Sequence, residues 1–191
     1  MIALRNYIDT LNPIKDETWN KVCPLFTESS LKKGEIFVKE GQIAEQIAFL
    51  SKGVARSFYR TNEGAEYNKH FFIAPVIIGG YSSFITGLPS QLAQDALTDC
   101  EIVVANYRAF SRLYDCCPDL ERAARRIAEL YFVSKEKREL EIVLMGAEQR
   151  YAIFQQQFPG LEQLIPQYHV ASYLGISATQ LSRIRKKMTT R

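Results

Sequence analysis

From Leu31 to Tyr107 the chain is a succession of short β-prone runs set apart by single glycines, and this texture restricts the fold more than any other feature. The runs are Glu35 to Val38, Ile47 to Leu50, Val54 to Tyr59, Asn68 to Ile73, Val76 to Ile78 and Glu101 to Ala105. Gly34, Gly41, Gly53 and Gly64 fall between or beside them, where turns with positive φ suit a residue lacking a Cβ. Strands this short, with glycine turns at such intervals, predict an antiparallel sandwich or barrel, with a jelly roll as the preferred form.

Helical texture flanks this region and makes the expected class α+β. In the segment Ile2 to Ser30, Leu4, Ile8 and Leu11, then Trp19, Val22 and Phe26, recur at three- and four-residue intervals, and Asn12 with Pro13 divides it into two short helices. From Pro118 to about Gly146 there is neither proline nor glycine, while Leu120, Ile127, Leu130, Tyr131, Leu140, Val143 and Leu144 recur among many charges. Such a helix, about 45 Å long at about 1.5 Å per residue, either lies on the roll or forms a seam between two copies of the chain. The second is preferred. Phe158, Pro159 and Gly160 mark a turn, and Pro166 another. The expected division is a roll with flanking helices over 1–117, a long helix over 118–147 and a small helical unit over 148–191.

Composition narrows the function classes. With 47% hydrophobic and 24% charged residues the 191-residue chain is of ordinary globular type. The longest apolar stretch, Phe71 to Gly80, is short and broken by Pro75, so no membrane span is expected. No secretory signal is visible, and a cytoplasmic protein is expected. Cys23, Cys100, Cys116 and Cys117 include no CxxC pair, and two histidines do not build a typical zinc site, so reduced structural thiols and no metal or other cofactor are expected. The vicinal Cys116 and Cys117 are read as two reduced thiols at a helix start in preference to a redox switch. No nucleophile elbow, phosphate loop or paired-carboxylate motif suggests an enzyme.

The net charge of +3 divides unevenly. Residues 1–120 hold 12 Lys and Arg against 14 Asp and Glu; residues 121–191 hold 12 against 7, and no acid follows Glu162. An end loaded with positive charge suits an anionic partner. That end contains Gln167 to Lys187, QYHVASYLGISATQLSRIRKK. Ala171 permits a close helix crossing, Gly175 ends the first helix in a left-handed turn, and Leu181 and Ile184 plug the second helix against the first. Ser177 is placed to cap the second helix. This is the helix-turn-helix pattern. Leu181, Ile184 and Met188 share one face, whereas Thr179, Ser182, Arg183 and Lys186 project from the other, suiting the major groove of double-stranded DNA. Arg185, Lys187 and Arg191 are expected phosphate contacts, and His169 a phosphate or capping contact.

The glycine-patterned stretch KKGEIFVKEGQIAEQIAFLSKGVARSFY, the long helix after it and the helix-turn-helix, taken together and in this order, resemble the Crp/Fnr family of bacterial transcription regulators. The resemblance implies a cyclic-nucleotide-binding-type roll, a dimerisation helix, a helix-turn-helix on promoter DNA, and RNA polymerase as a further partner. In the family's cyclic-nucleotide binders a Gly-Glu-Leu cassette and a later Arg-Ser pair hold the ligand. Here the matching positions are Gly79, Gly80, Tyr81, and then Pro89, Ser90, Gln91, so the carboxylate and the arginine are both missing and tight cyclic AMP binding is not expected. The wing strands that normally follow the recognition helix are not expected either, because only Met188 to Arg191 follow Lys187.

Gly79, Gly80, Tyr81, Ser82 and Ser83, with Ser90 and Gln91, are the candidate effector pocket. Amides at adjacent glycines either cradle an anion or form a tight turn without a ligand. Arg56 and Arg60 alternate on a strand and would add charge, although nothing in the sequence aims them at that turn. His70 is read as a structural residue. A metabolite-binding or protein-interaction module that keeps the fold without acting on DNA is the alternative function.

Overall fold

The computed structural model describes residues 1–189. Eight strands form two four-stranded sheets of a jelly roll. The first sheet orders β1 (Thr27–Leu31), β8 (Cys100–Asn106), β3 (Gln46–Lys52) and β6 (Val76–Gly79). The second orders β2 (Ile36–Val38), β7 (Ala93–Ala96), β4 (Val54–Arg60) and β5 (Glu66–Ile73), and all the pairings are antiparallel.

Both outer faces of the roll are covered, which explains why β3 is apolar in a run and why β4 is buried on both sides instead of alternating. In β3, Ala48 and Leu50 join Ala55, Phe72, Ala96 and Ile102 between the sheets. Ile47 and Phe49 point the other way, into a core with Leu4 and Ile8 of α1 (Ile2–Leu11), Val22 of α2 (Asp16–Val22) and Leu120 of the long helix α5 (Pro118–Leu144). On the far side, Val54 and Phe71 of the second sheet, with Leu97 just after β7, share a core with the C-terminal helices. These are α6 (Ala147–Gln157), α7 (Leu161–Leu164), α8 (Gln167–Leu174) and α9 (Ala178–Thr189). Phe71 packs within 6.2 Å, ring to ring, of Phe154, Phe158 and Tyr173.

Gly34, Gly41, Gly53 and Gly64 all take positive φ. Gly53 shows why at the β3–β4 turn: a Cβ there would sit 2.7 Å from both the Asp99 carbonyl oxygen and the Cys100 Sγ.

The structure corrects the sequence reading in three places. Thr27 to Ser30, taken as helical, form β1, an edge strand whose first four residues are exposed and which therefore lacks an apolar alternation. The strand β7 was not expected; its Ala-Gln-Asp-Ala sequence has no β-branched residue, yet it pairs between β2 and β4. Tyr81 to Ser83, read as part of an anion cradle or a tight turn, instead open a short helix α3 (Tyr81–Thr86). A further short helix, α4 (Tyr107–Ser111), leads through a 3-10 turn to α5. Among the described residues no helix is long and apolar enough to cross a membrane.

Candidate nucleic-acid interface

The turn between α8 and α9 has the geometry its sequence predicts. Gly175 is left-handed at φ +66°, its N–H donates to the Ser172 carbonyl, and the Ile176 N–H reaches back to Ala171. Ser177 and Gln180 cap α9 reciprocally: the Ser177 Oγ accepts from the Gln180 N–H at 3.2 Å and the Gln180 Oε1 accepts from the Ser177 N–H at 3.0 Å. Ala171, Leu181 and Ile184 are buried together.

Ser177, Thr179, Ser182, Arg183, Arg185, Lys186 and Lys187 are all exposed. They divide by surroundings. Thr179, Ser182, Arg183 and Lys186 lie on the side of α9 away from Leu181 and Ile184, and Arg183 with Gln180 borders an open cleft of about 510 Å³ against the start of α6. Arg185 lies by the Tyr151 hydroxyl of α6. Lys187 pairs with Glu148 at 2.6 Å. Arg191 lies outside the described residues.

The long helix has two unlike halves. Leu120 and Ala123 are buried against α1 and the roll, and the Tyr131 Oη donates to the Ile77 carbonyl. Farther along, Leu130, Val133, Leu140 and Leu144 are exposed, Leu144 at 71%. With Lys137 they step three, four, three and four residues along the helix, the spacing of a coiled-coil seam. Of these, Leu130, Leu140 and Leu144 are among the apolar residues expected from the sequence, and Phe132, Ile142 and Val143 lie off the stripe.

The segment Gly79 to Ser83 is tightly fitted. A Cβ on Gly80 would sit 2.5 Å from the Ala44 Cβ, and one on Gly79 2.8 Å from the Phe84 ring. The Ser83 Oγ donates to the Leu88 carbonyl and accepts from the Ala44 N–H, and the Ser90 Oγ donates to the Leu92 carbonyl. Tyr81, Ser82 and Gln91 are not among the buried residues; Tyr81 is exposed. Gln94 of β7, which the sequence reading did not single out, donates to the Gly79 carbonyl at 2.8 Å while its buried Oε1 has no partner. Gly80 thus has no room for a side chain unless Ala44 moves.

Arg56 does not face that segment. Its Nε and Nη2 bind both carboxylate oxygens of Asp95 at 2.8 and 3.0 Å, its Nη2 also reaches Glu66 at 2.7 Å, and its Nη1 reaches Asn68 at 2.9 Å. The fourth partner is Nδ1 of His169 on α8, 3.1 Å from the Arg56 Nη1. Burial opposes the charge on Arg56, but Asp95 and Glu66 raise its pKa further. Burial would raise the Glu66 carboxyl too, yet Arg60 and Arg56 hold it below its ordinary value. His169 is no phosphate contact: it is buried, and burial together with Arg56 pushes its pKa down to about 4. Arg60 pairs with Glu66 at 2.9 Å.

His70, also pushed down to about 4 by burial and by Lys69 and Arg138, packs edge-on against Phe72 and Phe158. Burial and Cys116 push the Cys117 thiol up, away from the reactive thiolate, although the two sulfurs are 3.6 Å apart.

Residues 28–115 match the family model of the cyclic nucleotide-binding domain. No protein of curated function matches the sequence. Among solved structures, FixK2 from Bradyrhizobium japonicum superposes with a TM-score of 0.74 at 19% identity, covering 86% of this chain and 85% of that one. The c-di-GMP-responsive global regulator CLP of Xanthomonas campestris gives 0.71 at 14% identity and covers 92% of each chain. A transcriptional regulator assigned to the Crp/Fnr family from Eubacterium rectale gives 0.74 at 12%, covering 93% and 84%. The chain is therefore similar in fold to Crp/Fnr regulators over most of its length, as the sequence resemblance implied.

Proposed function

We propose that this chain, with its cyclic-nucleotide-binding-type roll and Crp/Fnr fold, is a DNA-binding transcription regulator that acts as a homodimer. The observation that carries the proposal is the capped helix α9, which turns Thr179, Ser182, Arg183 and Lys186 outward while Leu181 and Ile184 anchor it. Short hydroxyl residues allow close approach to the floor of the major groove, and Arg183 has the planar fork that pairs with a guanine edge. Lys187, Arg185 and Ser177 sit at the margins, where phosphates pass. Arg185 and Lys187 exchange their contacts with Tyr151 and Glu148 for phosphates on binding.

Dimerisation is supported by the stripe from Leu130 to Leu144. An exposed heptad pattern is covered when two copies pack together, and two-fold symmetry then presents two α9 helices to half-sites one helical turn apart.

The roll is the sensor domain, and its effector is not bound through the usual cyclic-nucleotide phosphate contacts. Support comes from the lack of space at Gly80, from the internally satisfied Ser83 and Ser90, and from Arg56, which is fully committed to other partners. The three parts are a roll over 1–117, a dimer helix over 118–147 and a DNA-binding unit over 148–191, with RNA polymerase as the partner on the promoter.

Selection of bound fragments from a random DNA pool tests this function. Enrichment of a palindromic site by the full chain is the expected result; a pool that enriches nothing contradicts it and favours a module that keeps the fold without acting on DNA.

A further inference from the structure

The helix-turn-helix unit is seated on the outer face of the roll, and the polar part of that contact is gathered around one arginine. Besides the contact of Arg56 with His169, the Asn68 Nδ2 donates to the His169 carbonyl at 2.9 Å. The Ser172 Oγ donates to the Glu66 carbonyl at 2.8 Å and accepts from the Asn68 N–H at 2.9 Å. Helix α8 is thus bonded to β4 and β5 by both its side chains and its backbone. It also meets α5, where Arg138 donates to the Tyr173 carbonyl and lies 4.1 Å above the Tyr173 ring.

The chemistry of the Arg56–His169 contact is directional. A guanidinium has donors and no acceptor, so His169 must accept at Nδ1, which only the neutral imidazole with its proton on Nε2 can do. A second proton would set two N–H groups against each other at 3.1 Å beside a buried cation. The groups facing His169 are Arg56 from β4, Glu66 and Asn68 from β5, Asp95 from β7 and Lys33 from the turn between β1 and β2. The two carboxylates favour the imidazolium; Arg56, Lys33 and burial oppose it and prevail.

Building on the regulator function above, we infer that Arg56 is a positioning residue for DNA recognition: acting through His169 and Asn68, it fixes α8, and with it α9, relative to the roll. The roll thereby sets the orientation of the reading helix directly as well as through the long helix. Because the seated state excludes the proton that free histidine accepts, seating weakens as pH falls from the ordinary histidine range toward the depressed value.

The test is amide hydrogen exchange in α8 of the full chain, corrected for intrinsic rates, together with affinity for a selected duplex. Between about pH 7.5 and about pH 5, α8 opening in the native chain should rise about tenfold or more. His169→Asn keeps an acceptor near the same place but cannot be protonated there; it should remain seated and lose this pH response. Arg56→Met should raise α8 opening about a hundredfold and weaken DNA binding, with β3 and β8 still protected. Should that variant fail to fold, Ser172→Ala reads the same interface from the helix side, with an expected rise of about three- to tenfold. Unchanged α8 exchange in Arg56→Met or Ser172→Ala, or a pH response that persists in His169→Asn, overturns the inference. Absence of DNA binding by the native chain, with α8 exchange behaving as expected, instead overturns the regulator function on which the inference rests.

Discussion

Arg183 is exposed on the outward side of α9, so its loss should be felt by DNA and not by the fold. Arg183→Ala is expected to shift stability by less than about 0.5 kcal/mol. It should weaken binding to the selected duplex by about 1–3 kcal/mol in an anisotropy titration. Gly80 makes the opposite kind of prediction. Gly80→Glu restores the missing cassette carboxylate on paper, but its Cβ has Ala44 at 2.5 Å. The variant should lose about 1–3 kcal/mol in chemical denaturation and gain no cyclic AMP affinity by calorimetry. At this scale the sequence was most informative where backbone geometry leaves few choices: Gly175, Ser177 and Ala171 could be assigned places from residue type alone. It was least informative for Arg56 and His169, which stand 113 positions apart, because no local pattern records that two polar side chains meet in the fold.

The elements were legible in proportion to how much their own residues decide. Helix α5 runs from Pro118 to Leu144, close to the span free of proline and glycine. Edge strand β1 and strand β7 escaped because their neighbours in the sheet, and not their own propensities, hold them extended. The exposed stripe on α5 was half legible: the apolar residues were evident, but their alignment emerged only once the buried half of the helix was known. Leu140→Lys with Leu144→Lys changes two exposed side chains of the single chain, so the protomer should stay folded by circular dichroism while light scattering reports half the native mass. A native mass equal to one protomer would remove the seam.

On the scale of the whole molecule, the roll and the C-terminal helices share one core, in which Phe71 of β5 meets Phe154, Phe158 and Tyr173. Thermal unfolding should therefore be a single transition, and Phe71→Ala should cost about 3–5 kcal/mol while lowering that same transition for both parts. Two separate transitions in calorimetry would show that the parts are independent. The uneven charge belongs to this scale as well: the positive excess lies in residues 121–191, which contain the exposed stripe of α5 and α9. The central claim, a dimer that reads DNA through α9, is tested most directly by titrating the full chain into the selected duplex and a scrambled one over a range of salt. The account predicts one dimer per selected duplex, affinity that falls linearly on a log–log plot against salt, and loss of preference over the scrambled duplex in Arg183→Ala with Lys186→Ala. Equal affinity of the native chain for both duplexes, or an unaltered preference in the double variant, would contradict it.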